Sequence, residues 1–78
     1  MCDNIPLLES AIRMTQTDID HLSELLKKCK ENTKKKYKCY LISDQINDKK
    51  ETMDALKESL QKNTELCTMY EQLGNGSN

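Results

Sequence analysis

Apolar side chains recur along this chain every three or four residues, which is the spacing of helices that pack along a seam. Between Ile5 and Cys29 the a and d positions of a heptad repeat are apolar except at Thr15. Between Cys39 and Tyr70 the exceptions are Lys49 and Asn63. The pattern predicts two helices, whose expected contact residues are Ile5, Leu8, Ile12, Ile19, Leu22, Leu26, Ile42, Ile46, Met53, Leu56, Leu60 and Tyr70.

The two heptad registers do not join. Continuing the first register places Thr33 and Lys36 in the seam and then misses the second register by one residue. We therefore expect a helix over about 5–31, a basic turn over about 32–37 and a helix over about 38–73. The predicted fold class is all-α: one domain over 1–73, an antiparallel helical hairpin or coiled coil that assembles into a bundle, followed by a disordered tail over 74–78.

A single continuous helix in a parallel dimeric or trimeric coiled coil is the alternative architecture. Isoleucine at a and leucine at d in the first arm favour parallel two-stranded coiled coils. Against this arrangement, parallel chains would set the lysines of the middle segment beside their own copies and would keep Thr33 and Lys36 in the seam. The hairpin is the favoured expectation.

The four cysteines allow two interpretations. In a hairpin that turns near residue 34, Cys29 faces Cys39, and Cys2 lies level with Cys67. They would form two disulfides that clamp the hairpin, or remain reduced thiols that fill the seam. The N-terminus lacks a basic region followed by an apolar run, and no stretch approaches the length of a membrane span, so we expect a cytoplasmic or nuclear protein with reduced thiols.

Basic charge is concentrated in the middle of the chain. The formal net charge is only −1, yet seven of the twelve lysine and arginine residues lie between Lys27 and Lys38. Such a cluster attracts anions, so nucleic acid or an anionic membrane is a candidate partner. The candidate anion-binding residues are Lys27, Lys28, Lys30, Lys34, Lys35, Lys36 and Lys38.

Several apolar residues fall outside the seam and cannot be covered by a two-stranded helical pair. We expect them to gather near the end of the hairpin opposite the lysines, where they would bind a further helix. The candidate partner-binding residues are Leu7, Met14, Leu25, Leu66, Met69 and Leu73.

Catalytic and ligand-binding signals are weak in this sequence. The single histidine, His21, occupies a c position, where an exposed side chain is expected, and the cysteines lack metal-ligand spacing. We therefore expect no enzyme activity, cofactor, metal or small-molecule substrate. The expected function is that of a small coiled-coil adaptor or assembly subunit that self-associates or joins helices of partner proteins. The alternative is a module whose lysine-rich segment binds nucleic acid or anionic membrane.

Overall fold

The computed structural model describes residues 2–34 and 36–76, which form an antiparallel helical hairpin. Helix α1 spans Asn4–Glu31, a short 3-10 turn spans Lys36–Lys38, and helix α2 spans Cys39–Gly76. The hairpin is a rod of 69 × 14 × 11 Å. The predicted hairpin is confirmed, and the continuous-helix alternative is wrong, because the chain reverses direction between α1 and α2.

The chain reverses without a glycine in the turn. Asn32 ends α1 by adopting an extended backbone, with φ −91° and ψ 102°, while its N–H still donates to the carbonyl of Cys29 at 3.1 Å. The side-chain oxygen of Asn32 then accepts a hydrogen bond from the backbone N–H of Lys34, also at 3.1 Å. This local bond from asparagine to the backbone two residues on is a common way to start a turn.

Helix α2 is longer than the sequence predicts. It continues to Gly76, so residues 74–76 of the expected tail are helical, while 77 and 78 lie outside the described residues. Glycine usually ends a helix by adopting a left-handed backbone. No glycine in the described part of the chain does so, and α2 therefore runs through Gly74.

The core is a narrow seam between the helices. Its centre consists of Ile19, Ile46 and Met53, of which Met53 is the most buried at 4% exposure. No described side chain is fully buried. The remaining seam residues are partly buried around this centre, namely Ile5, Leu8, Ile12, Leu22, Leu26, Ile42, Leu56 and Leu60.

The polar residues of the seam all find hydrogen-bond partners. The Thr15 hydroxyl is buried and donates to the carbonyl of Ala11 at 2.8 Å. The ammonium of Lys49 lies 3.3 Å from a carboxylate oxygen of Asp18 on the other helix. The amide of Asn63 donates to the backbone carbonyl one turn earlier at 2.8 Å. These three interruptions therefore leave no unpaired polar group in the seam, since no buried side-chain nitrogen or oxygen in the described chain lacks a partner.

Tyr70 departs from the predicted contacts, because its side chain is 54% exposed. Cys2 lies opposite Cys67, so α2 continues past the start of α1. Residues 68–76, hereafter the overhang, have no described part of α1 beside them. The heptad pattern identified Tyr70 as a d residue, but a d position is buried only where a partner helix is present.

Candidate functional site: two faces and a basic tip

Two nested disulfides clamp the hairpin at its ends. Cys2 is bonded to Cys67 with a Cα–Cα distance of 5.2 Å, and Cys29 to Cys39 with a distance of 5.8 Å. The expectation of reduced thiols is therefore wrong for this structure. The antiparallel register brings both pairs of Cα atoms within the range of disulfide geometry, so oxidation needs no rearrangement of the helices.

The seam divides the surface of the hairpin into two broad faces. In an antiparallel pair the g positions of both helices flank one side of the seam, and the e positions flank the other. The c positions lie beside g, and the b positions lie beside e. We call these surfaces the c/g face and the b/e face.

The exposed aliphatic and methionine side chains lie on one of these faces only. In the described chain, every large side chain of this kind that is classed as exposed occupies a c or a g position. They run along the whole rod and are Leu7, Met14, Leu25, Leu41, Leu66, Met69 and Leu73. Their exposed fractions lie between 40% and 69%, so the hairpin itself leaves them largely uncovered.

The b/e face is polar by comparison. Its apolar members are Pro6 near the start of α1 and Tyr40 near the start of α2. The remaining b and e positions carry charged, amide or hydroxyl side chains, with Gln16 and Lys57 as central examples. The c/g face is thus more apolar than the b/e face.

The six predicted partner-binding residues all lie on the c/g face, but they do not gather at one end. Leu7 and Leu66 are near the open end, whereas Met14 is near the middle and Leu25 is near the turn. The sequence analysis also missed Leu41, which is 48% exposed. Leu41 occupies a c position, as Leu7 and Met14 do, and this shared position could have identified it from the sequence.

Charged residues on the c/g face are few. Asp18 is paired with Lys49, and Lys62 lies 3.2 Å from Glu58 on its own helix. Both ion pairs are well exposed, so each contributes less than about 1 kcal/mol. The charged members of this face are Asp18, Lys28, Lys38, Asp48 and Lys62.

The turn end of the rod is a basic tip, which we define as residues 27–38. The Cys29–Cys39 disulfide closes its base. Lys38 lies 5.6 Å from the ring centre of Tyr37, within the range of a cation–π contact. All six described lysines of the tip are exposed, and none of them forms an ion pair; Lys35 lies outside the described residues.

An open depression lies on the outer surface of α1. Its volume is about 280 Å³, and no histidine or cysteine lines it. His21 is exposed on the c/g face. The residues that line the depression are Ser10, Arg13, Met14, Thr17 and Asp18.

In the part of the chain that the structure describes, one group of three side chains brings atoms of metal-ligand type close together. The sulfur atoms of Cys2 and Cys67 and a carboxylate oxygen of Glu71 lie within 4.8 Å of one another. The two sulfur atoms are bonded to each other, and a disulfide does not supply the thiolates that metal ions bind. In the oxidised hairpin the Cys2–Cys67 bond instead ties the residues before α1 to α2.

The chain matches no family model, no curated protein and no solved structure. Over the residues that the structure describes, neither helix has a stretch both long and apolar enough to span a bilayer.

Proposed function

We propose that this chain is a non-enzymatic interaction protein, a small adaptor or assembly subunit that self-associates or joins helices of partner proteins through its c/g face. The one-sided distribution of exposed aliphatic and methionine side chains carries this proposal. Isolated exposed leucines are normal on protein surfaces, but they fall on all sides. Exposed apolar side chains that are concentrated on one face are typical of an interaction site.

The exposed area of the hairpin supports the same proposal. A compact monomer of 9.0 kDa exposes about 4,900 Å². The hairpin exposes 6180 Å², about 1,300 Å² more than that. Burial of apolar area contributes roughly 25 cal/mol per Å², so packing a further helix on the c/g face would stabilise a fold whose own core is thin.

The two disulfides support an oxidising compartment as the place where the protein acts. Paired cysteines persist in such compartments and are reduced in the cytosol and nucleus, the locations that the sequence favoured. The protein taken from its own cells should therefore react with no maleimide reagent until it is reduced. Labelling of all four cysteines without prior reduction would instead place it in a reducing compartment.

A photo-crosslinking amino acid introduced at Met14 tests the interaction face directly. The full chain, produced in its own cells and irradiated, should give covalent adducts, because this side chain lies at the middle of the c/g face. The same amino acid at Gln16, an exposed e position on α1, should give few adducts. Equal yields at both positions, or none at either, would contradict the proposal.

A second candidate function is anion binding by the basic tip, favoured by its exposed lysines without acidic partners. The candidate ligands are nucleic acid and an anionic membrane. Replacing Lys34 and Lys36 with glutamine should lower the salt concentration that elutes the protein from heparin. The matched control replaces Lys50 and Lys57, which lie on the b/e face, with glutamine. Equal elution of the two variants would remove this candidate.

A further inference from the structure

We propose that the occupant of the c/g face is a second copy of this chain, packed antiparallel to the first in a two-fold symmetric four-helix dimer. This inference rests on the proposed function, since it names the partner that covers the same face. Two-fold dimers are the commonest soluble homo-oligomers, and in them one patch contacts its own copy. The face must therefore be complementary to itself.

The register of the disulfides fixes the midpoint of the rod. Both bonds place the reversal of the chain near residue 34, and α2 ends at Gly76. The midpoint then falls near Met14 on α1 and Ala55 on α2, and both residues occupy c positions. A two-fold axis through this point lays each helix along its own copy, so that Met14 meets Met14 and Ala55 meets Ala55.

Residues away from the axis also meet residues of matching polarity. Leu41 near the turn comes level with Met69 of the second copy, which belongs to the overhang. At the same height, the g residue Leu25 comes level with Leu66 of the second copy across the bundle centre. The overhang, which has no helix beside it within one hairpin, gains a partner in this way.

Charge favours the antiparallel arrangement over a parallel one. Asp48 and Lys62 occupy c positions on α2 at equal distances on either side of the midpoint, so each faces the other residue type across the dimer. A parallel stack would instead set the described lysines of one tip beside those of the other.

The extent of the rod allows an interface of standard size. A face of 69 Å by 14 Å has a projected area of about 970 Å² per copy. Standard protein–protein interfaces bury about 800 Å² on each partner. The c/g face is thus large enough without any contribution from the b/e face, which would remain in water.

A charge exchange between Asp48 and Lys62 tests the arrangement, with sedimentation velocity of the oxidised full chain as the readout. The wild-type chain should sediment as a dimer of the 9.0 kDa protomer. Asp48→Lys alone and Lys62→Glu alone place like charges opposite each other twice per dimer, and each should raise the dissociation constant by about 10-fold or more. Mixing the two variants should restore dimers, because every facing pair is again of opposite charge.

The matched controls are Asp54→Lys and Lys57→Glu on the b/e face, which should dimerise as the wild type does. Circular dichroism of each variant shows whether its helices are intact. Dimers of undiminished affinity in Asp48→Lys and Lys62→Glu, or a mixture that fails to associate, would overturn the antiparallel arrangement. Loss of dimers in Asp54→Lys or in Lys57→Glu would also overturn this arrangement.

Failure of this inference can be told apart from failure of the proposed function. Suppose that the wild-type chain stays monomeric at concentrations on the order of 100 µM while the crosslinker at Met14 captures a different protein. This result would overturn the proposal that the partner is a second copy, but it would retain the c/g face as the interaction face.

A crosslinker at Leu41 tests the direction in which the second copy packs. Adducts with the second copy near Met69 support the antiparallel dimer, and adducts near Leu25 of the second copy overturn it.

Discussion

Lys49 illustrates how the seam accommodates a charged residue. It occupies a d position, yet its side chain is 44% exposed and its ammonium lies 3.3 Å from Asp18. A lysine can keep its carbon stem on apolar surface while its charge stays in water. An exposed pair of this kind is worth less than about 1 kcal/mol. The position therefore tolerates lysine without requiring it.

The substitution Lys49→Leu should raise the free energy of unfolding by about 1 kcal/mol, because it continues the apolar seam at the layer of Ile19. Urea denaturation followed by circular dichroism measures the change. Lys50→Leu, one residue along on the exposed b/e face, is the control and should shift stability by less than about 0.5 kcal/mol. A loss of stability in Lys49→Leu would show that the ion pair matters more than the seam.

Met53 is the most buried residue of the core, at 4% exposure. Met53→Ala removes its contacts with both helices and should lower the free energy of unfolding by about 2–4 kcal/mol. Gln61→Ala on the exposed b/e face should change it by less than about 0.5 kcal/mol. Equal changes in the free energy of unfolding of the two variants, measured by urea denaturation, would show that Met53 is not buried in the seam.

The two disulfides restrain the helices over very different lengths of chain. Cys2 and Cys67 are separated by 65 positions, and Cys29 and Cys39 by 10. In the chain-entropy model, closing these loops stabilises the fold by about 4 and about 3 kcal/mol respectively. The paired change Cys2→Ser with Cys67→Ser should therefore lower the thermal midpoint more than Cys29→Ser with Cys39→Ser. The opposite order, measured on oxidised proteins, would contradict this account.

The helices and their seam were predictable from the sequence because heptad periodicity records which side of each helix is buried. The length of α2 was not, because glycine commonly ends a helix in a left-handed conformation, whereas Gly74 does not adopt that conformation and α2 continues to Gly76. The exposure of Tyr70 was missed for a related reason. Periodicity reports the side of a helix and carries no information on where the neighbouring helix stops.

The cysteine state and the candidate face needed the structure. Spacing showed that Cys29 could meet Cys39, but the assumed compartment favoured thiols. The sequence predicted that the off-seam residues gather near one end, whereas the antiparallel pairing of α1 and α2 places them on a common c/g face. Leu41 and Leu25, near the turn, then extended this face along the whole rod.

At the scale of the whole molecule, the hairpin is a rod with a basic tip, and its exposed aliphatic and methionine side chains lie on one face. The disulfides hold its two helices in one register, so the c/g face is a fixed surface with little freedom to collapse on itself. A preorganised face binds another helix with a smaller entropic cost. This is the property expected of an assembly subunit, and it makes occupancy of the c/g face the central claim.

Methionine oxidation by peroxide at rising protein concentration tests that claim most directly, because two methionines report on the c/g face and a third reports on the seam. Met14 and Met69 on the c/g face are 67% and 56% exposed in the single hairpin, and Met53 in the seam is 4% exposed. We predict fast oxidation of Met14 and Met69 in dilute protein, slowing as copies associate, with Met53 slow throughout. Fast oxidation of Met14 and Met69 at every concentration would contradict occupancy of the face by a second copy.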